Sequence, residues 1–243
     1  MTDIPRRRAA RPPWMDAVSA RLTPTIKKIV VVLSSTFALY VFVPGALPLL
    51  SHLALGPNVF RGEPWQLVTG LAIELRPLTF FFNLIGLWFT GAMVERSVGT
   101  RRFVTLFLGA GVLGNIAVAG TAHLLSTSPG PVGCWLAVHA LFVAFARIFD
   151  RQEMQVAPGL VFRARQIGIF WVAFALVASA VDRNVPFIAG IIVATLAGFF
   201  LAAPGGLREV YGTFRARRQR QRYKVLDGGL PGRPKGRAQK YWN

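Results

Sequence analysis

The chain has 243 residues, of which 53% are hydrophobic and 16% are charged, and its mean hydropathy is +0.46. Soluble domains carry about 25% charged residues, so this composition favours a membrane protein and excludes a disordered, collagen-like or coiled-coil chain. The formal net charge is +18, and the single cysteine, Cys134, excludes an internal disulfide.

Six apolar stretches lie between two basic ends of the chain. A helix needs about 20 residues to cross a bilayer, and these stretches are roughly 15 to 23 residues long, the fifth and the second being the shortest. We therefore predict six transmembrane helices, near residues 29–50, 78–94, 103–125, 132–149, 167–181 and 185–203. The segment 1–28 before them is basic. The tail 204–243 is basic and rich in glycine and proline, which is typical of disorder.

The distribution of positive charge indicates how these helices are oriented. With six spans and both termini in the cytoplasm, 25 of the 28 Lys and Arg residues lie inside and 3 lie outside. Cytoplasmic loops carry an excess of such residues, whereas an odd number of helices would place one basic tail outside. We expect the tails to attract anionic lipids. They lack interleaved aromatic residues and a folded recognition element, so nucleic acid is not an expected partner.

The segment 51–77 is too polar to cross the bilayer and is predicted to form a folded external loop. It carries Trp65, and tryptophan prefers the membrane interface. From this loop to the end of the second span, polar residues and glycines recur at characteristic intervals, at Trp65, Asn83, Gly91, Glu95 and Gly99. Taken singly, each has a structural explanation, such as Gly99 ending a helix as its C-cap.

Taken together with the glycines of the third span, this pattern resembles the rhomboid superfamily of intramembrane serine proteases. The resemblance covers about residues 51–203 and implies an all-α, six-helix transmembrane bundle. Active rhomboids carry Gly-x-Ser-Gly at the start of helix four, a histidine on helix six that acts as the base, and an Asn and a His on helix two that hold the oxyanion.

Three of the four corresponding functional positions are changed in this chain. The stretch Gly130-Pro131-Val132-Gly133 matches the nucleophile motif and places Val132 where the serine stands. A second register, Gly133-Cys134-Trp135-Leu136, would place Trp135 there. On the sixth span Thr195 takes the position of the histidine, within Ala194–Gly198. In the oxyanion group Asn83 is retained and Thr79 replaces the histidine.

These substitutions remove the chemistry that the family uses. Neither valine nor tryptophan offers an oxygen lone pair for attack, and a threonine hydroxyl cannot replace imidazole as a general base. Losing one member of such a unit costs about 10⁶ in kcat in a soluble serine protease. The sequence therefore predicts a pseudoprotease without cofactor or metal. We expect it to sit in a bacterial inner membrane and to bind transmembrane segments of client proteins through the external loop and the second and fifth helices.

An alternative function remains open, because the sequence offers two other nucleophiles. A divergent intramembrane endopeptidase would use Cys134 or Ser128. His139 lies within the fourth span, and ionisable residues inside membrane spans often have a function. For His139 a packed and hydrogen-bonded side chain is nevertheless favoured over a catalytic role.

Two further functions are disfavoured. A metal site of His52, His123 and Glu74 is conceivable, but no two of these residues share a helical spacing. A small transporter would carry charge within the bilayer, and none of the 10 acidic residues falls within the predicted spans.

Small residues recur every four positions on two spans, which allows helix backbones to approach closely. They are Gly190, Ala194, Gly198 and Ala202 on the sixth span, and Gly133 and Ala137 on the fourth. We predict that the fourth and sixth helices pack through these positions.

Overall fold

The structure is a computed structural model that describes residues 22–130, 132–157 and 160–203. Pro131, most of the basic segment predicted at 1–28, and the tail 204–243 lie outside the described residues. The described chain is mostly helical. Its long helices follow from the apolar runs of the sequence.

The first predicted span, 29–50, is divided into two helices. Helix α1 covers Pro24–Phe42 and α2 covers Ala46–Leu53. The break lies at Pro44 and Gly45, because proline lacks an amide hydrogen and Gly45 has a φ of +86°, which favours glycine. The span thus ends eight residues earlier than predicted, and α2 belongs to the first loop.

The rest of the first loop is folded, as predicted. Two 3₁₀ turns, Pro57–Phe60 and Gly70–Ala72, flank a single helical turn, α3, at Gln66–Thr69. The Gln66 side chain is only 1% exposed, and its Oε1 accepts a hydrogen bond from the Gly56 amide at 2.9 Å. This buried amide ties the two halves of the loop together.

The second span is a continuous helix with one irregular turn. Helix α4 covers Pro77–Gly86, a π-helical turn covers Leu87–Gly91, and α5 covers Ala92–Val98. Gly99 ends it with a φ of +82°, and its amide donates to the Glu95 carbonyl at 2.8 Å. The interpretation of Gly99 as a helix C-cap is confirmed.

Each of the remaining four predicted spans corresponds to a single helix. Helix α6 covers Thr100–Leu124, α7 covers Trp135–Ile148, α8 covers Ala164–Val181 and α9 covers Val185–Leu201. Within the described residues, four helices are long and apolar enough to cross a membrane: α1, the continuous α4–α5, α6 and α8. The other two, α7 and α9, are apolar but shorter. The chain is a helical integral membrane protein.

A β-hairpin connects α7 to α8. Strand β1, Glu153–Ala157, pairs antiparallel with β2, Leu160–Arg163. The sequence predicts only a connection between the fourth and fifth spans here, because strands of five and four residues carry too little periodicity to stand out beside apolar helices. The Arg163 guanidinium lies 3.8 Å from the Glu153 carboxylate across the hairpin.

Helix α6 packs against both α7 and α9. A Cβ at Gly198 of α9 would lie 2.6 Å from the Ala140 carbonyl oxygen of α7, so these two backbones touch. A Cβ at Gly190 would meet both Val118 of α6 and Leu136 of α7, and a Cβ at Gly111 of α6 would meet Ala137 at 3.0 Å. The small residues therefore mediate contacts among all three helices, not only between the fourth and sixth spans.

Candidate functional site

The position of the family's nucleophile lies in an apolar environment. Val132 precedes α7 and is 7% exposed. It belongs to a cluster of buried side chains that includes Leu136, Ile191 and Ala194. The valine methyl groups thus contribute to packing between the start of α7 and α9, and no oxygen is presented at this position.

A buried carboxylate lies beside Gly133 and Cys134, which follow Val132 in the chain. Glu74, at the end of the first loop, is 3% exposed. Its Oε1 accepts a hydrogen bond from the Cys134 amide at 3.0 Å and another from Asn83 Nδ2 at 2.5 Å. Gly133 makes this arrangement possible. Its φ is +61°, and a Cβ there would overlap the Glu74 carboxylate.

The environment of Glu74 changes its acidity. Removal from water raises the pKa of the Glu74 carboxyl from 4.5 to about 7, and the hydrogen bonds from Cys134 and Asn83 only partly oppose this. The sequence places Glu74 in the predicted external loop and offers it only as a conceivable metal ligand. Its burial depends on residues far along the chain, 60 positions away in the case of Cys134, so no local signal could have revealed it.

The two donors that bind Glu74 are of the type that stabilises an oxyanion. Backbone amides and asparagine side chains serve in this way during acyl transfer, and Asn83 is the residue that the resemblance assigned to that task. Here both donors point at the chain's own carboxylate. A substrate oxyanion would have to displace Glu74 to reach them.

Thr195 is bound to a histidine on the other helix. Its Oγ1 lies 2.8 Å from His139 Nε2, and His139 is fully buried. The bond joins α9 to α7, the helices that carry base and nucleophile in active rhomboids. The packed, hydrogen-bonded interpretation of His139 is confirmed, and the sequence did not identify Thr195 as its partner.

A cavity of about 200 Å³ lies next to Val132. Thr79 of α4 lines one side, and Phe174 and Ser179 of α8 line the other. Its apolar lining also includes Val118, Val132, Trp135 and Phe187, and its polar lining includes Arg76, Ser128, Asp182 and Asn184. The cavity thus lies between the second and fifth spans, next to the start of the fourth.

The remaining motif residues have structural contacts. The Trp65 indole donates to the His52 carbonyl at 3.3 Å within the first loop. Glu95 is 4% exposed and accepts hydrogen bonds from the hydroxyls of Thr23 and Thr100. A Cβ at Gly91 would lie 3.0 Å from Ile26 of α1. These residues hold the first loop and the junction of α1, α5 and α6.

The three residues of the disfavoured metal site have separate partners. His52 lies 3.3 Å from the Glu63 carboxylate, the His123 ring packs against Phe60 with centroids 5.4 Å apart, and Glu74 binds Asn83. In the parts of the chain that the structure describes, no three His, Cys, Asp or Glu side chains are grouped to hold a metal.

The alternative nucleophiles differ in accessibility. Cys134 is fully buried. Ser128 is exposed and lines the cavity beside Val132.

Comparison with known proteins agrees with the fold. Residues 61–205 match the Rhomboid domain family. The rhomboid protease GluP of Bacillus subtilis (strain 168) is 30% identical over 151 residues, which cover 61% of this chain and 27% of GluP. The putative rhomboid protease YdcA of the same organism is 29% identical over 98 residues, covering 40% of this chain and 48% of YdcA. The chain thus matches less than half the length of either relative. It belongs to the rhomboid family.

Proposed function

We propose that this rhomboid-family protein does not cleave peptide bonds and instead binds transmembrane segments of client membrane proteins. The observation that carries the proposal is the carboxylate of Glu74, which occupies the Asn83 amide and the Cys134 backbone amide. Both relatives are named proteases, but their activity transfers to this chain only if the residues that perform it are present.

Three features argue against hydrolysis. Val132 offers no nucleophilic atom, Thr195 is no base, and the donors for an oxyanion are occupied. Forming a tetrahedral intermediate would require a nucleophile, a base that accepts its proton and donors that stabilise the oxyanion. Loss of the oxyanion donors alone costs about 10²–10³ in kcat. These losses affect separate requirements of acyl transfer, so restoring any one of them leaves the others unmet.

The cavity supports a route for the client. It is lined from both α4 and α8 by Thr79, Phe174 and Ser179, and Phe174 is 52% exposed. An apolar segment approaching through the bilayer would meet Phe174 first, and its polar end would meet the rim formed by Arg76 and Asp182. Such a mixed lining suits the end of a transmembrane helix, where apolar and polar residues meet.

We further propose that the protein crosses a bacterial inner membrane six times with both termini in the cytoplasm. The charge distribution supports this arrangement, with 25 basic residues inside and 3 outside. The basic ends would then face the anionic lipids of the cytoplasmic leaflet.

Site-directed photocrosslinking in native membranes tests client binding. A photoreactive residue at Phe174 is expected to capture membrane proteins through an apolar segment, which mass spectrometry of the crosslinked peptide identifies. A photoreactive residue at Ile169 is the matched control, because Ile169 is 58% exposed on the same helix and lies outside the cavity lining. Trp65→Ala should lower capture at Phe174, since it loosens the first loop.

Equal capture at both positions, or capture through soluble domains only, would contradict the client route. Cleavage is tested separately with purified protein and a generic transmembrane substrate, with an active rhomboid as positive control. Any cleavage that survives removal of contaminating proteases would overturn the non-catalytic proposal.

A divergent endopeptidase is the second candidate, and one observation favours it. The Thr195 hydroxyl and the His139 imidazole are 2.8 Å apart, which is the distance expected between a nucleophile and its base. A fluorophosphonate probe would label an activated hydroxyl. Labelling that disappears in Thr195→Val but persists in Ser128→Ala would support this candidate, and no labelling above background would exclude it.

A further inference from the structure

A second cavity, of about 460 Å³, lies between the first loop and the end of α6. The loop contributes Pro57, Phe60 and Arg61, and α6 contributes His123. The chain after α6 contributes Ser126, Thr127, Ser128 and Pro129. Ser128 and Pro129 also line the cavity of the candidate site, and the other lining residues are separate from it.

The lining of this second cavity is basic and rich in hydroxyl groups. It presents the side chains of Arg61 and His123 and three hydroxyls, and no carboxylate among the residues that the structure describes. Glu63 is close in sequence, but its carboxylate accepts from Gln66 and lies 3.3 Å from His52. The charge of Arg61 therefore remains available to a ligand.

The backbone holds these groups in place. Ser126 adopts a φ of +53°, an uncommon conformation for a residue with a side chain. Its amide donates to the His123 carbonyl at 3.1 Å, and the Thr127 amide donates to the Ala122 carbonyl at 2.8 Å. The chain thus reverses directly at the end of α6, which brings the hydroxyls of residues 126–128 to the same cavity as the His123 ring.

The surroundings place this cavity at the level of lipid headgroups. Leu124 and Leu125, at the end of α6, are 83% and 50% exposed, and Phe60 is 54% exposed. Exposed apolar side chains at the end of a membrane-spanning helix contact acyl chains, and the polar groups just beyond them meet the headgroup region. A ligand that combines acyl chains with an anionic head would satisfy both parts.

We propose that this cavity binds the phosphate of an anionic phospholipid. Arg61 supplies a charge-assisted contact, since guanidinium groups match phosphate geometry. The hydroxyls of Ser126 and Ser128 supply neutral donors, and Leu124 with Leu125 contacts the acyl chains. The inference does not depend on client binding. A free phosphate ion shares the headgroup chemistry, so the experiment distinguishes the two sources.

Native mass spectrometry of the purified full chain in detergent measures this binding. The protein is titrated with short-chain phosphatidylglycerol, with phosphatidylcholine of the same chain length, and with inorganic phosphate. We expect adducts of phosphatidylglycerol at the lowest concentration. Arg61→Gln should weaken them by about fivefold, the upper end of the effect of one exposed ion pair. Ser128→Ala should weaken them less.

The matched control is Arg183→Gln. Arg183 is exposed in the turn between α8 and α9 and lies outside the cavity lining, so its removal should leave phosphatidylglycerol binding unchanged. Thermal melting without lipid checks that each variant is folded, and Arg61→Lys, which keeps the charge, replaces Arg61→Gln if the latter unfolds.

Three outcomes overturn the proposal. Equal losses in Arg61→Gln and Arg183→Gln would show only a general surface charge effect. Equal affinity for phosphatidylcholine and phosphatidylglycerol would contradict recognition of an anionic headgroup. Binding of inorganic phosphate without a phosphatidylglycerol adduct would assign the cavity to a free anion. Loss of phosphatidylglycerol binding in Arg61→Gln, with binding unchanged in Arg183→Gln, supports the proposal.

Discussion

At the scale of single residues, the candidate site differs from that of an active rhomboid in the groups that occupy the catalytic positions. Val132 fills the nucleophile position with methyl groups, and Glu74 occupies the donors at Asn83 and Cys134. The sequence could predict the first change, because a motif names the position. It could not predict the second, because nothing in the sequence around Glu74 indicates that the fold brings its carboxylate to Gly133. The same holds for Thr195 and His139, which are 56 positions apart.

The raised pKa of Glu74 predicts a pH-dependent stability. Below pH 4.5 the carboxyl is protonated in both the folded and the unfolded chain. Between pH 4.5 and about 7 the unfolded chain ionises while the fold retains the proton, so the free energy of unfolding falls as pH rises. The full loss is about 3 kcal/mol, at 1.36 kcal/mol for each unit of pKa difference.

Replacing Glu74 by glutamine should abolish this dependence. The glutamine oxygen can accept both hydrogen bonds but carries no titratable proton. The measurement is the Tm in detergent as a function of pH. Raising the pH from 5 to 8 should lower the Tm of the wild type by several degrees more than the Tm of Glu74→Gln. Glu63→Gln, which alters a partly exposed acid of the same loop, should behave as the wild type. Identical pH profiles for Glu74→Gln and the wild type would contradict the burial of this carboxyl.

Gly133 should tolerate no side chain. In Gly133→Ala the new Cβ would displace the Glu74 carboxylate, and the φ of +61° would cost a further 1–2 kcal/mol, roughly, for an L-residue. We expect a large fall in Tm in detergent. Gly130→Ala is the matched control from the same motif, because no atom of the described chain lies within 4 Å of a Cβ there. Similar Tm values for the two variants would show that the contact between Gly133 and Glu74 does not form.

At the scale of elements, apolar runs predicted the helices well and short structures poorly. The second predicted span, 78–94, corresponds to Pro77–Val98, and the sixth, 185–203, corresponds to Val185–Leu201. Hydropathy is enough to predict such helices. An apolar segment in a bilayer must pair its backbone N–H and C=O groups within itself, and a helix does so. The hairpin over residues 153–163 depends on cross-strand pairing, which produces no comparable hydropathy pattern in the sequence.

The contact between α7 and α9 predicts a packing defect in Gly198→Ala. A Cβ at Gly198 would lie 2.6 Å from the Ala140 carbonyl oxygen and 2.9 Å from its Cα. Since backbone atoms cannot move aside as a flexible side chain would, the helices must separate. Overpacking of this kind costs about 1–3 kcal/mol.

Unfolding in mixed detergent micelles measures that cost. Gly120→Ala in α6 is the control, because no described atom lies within 4 Å of a Cβ there. Alanine favours helix over glycine by about 1 kcal/mol, so Gly120→Ala should be neutral or slightly stabilising. A Gly198→Ala variant as stable as Gly120→Ala would mean that α7 and α9 are further apart than the structure places them.

At the scale of the whole molecule, the basic composition and the fold together constrain orientation. The first loop and the turn between α8 and α9 both contribute to the cavity at Val132, so they lie at the same end of the bundle. The hairpin follows the opposite end of α7. Because basic residues concentrate in the cytoplasm, the first loop should face outward and the hairpin should face the cytoplasm.

Cysteine labelling in intact cells tests this orientation against a low background, because the native Cys134 is fully buried. Single cysteines at Ser126 and Asp182 should react with a membrane-impermeant maleimide from outside. Cysteines at Ser97 and Asp150, which are exposed near the opposite end, should react only after permeabilisation. The reverse result would place the bundle upside down. Reaction of Ser126 and Asp182 from different sides would contradict the prediction that α7 and α8 both cross the membrane.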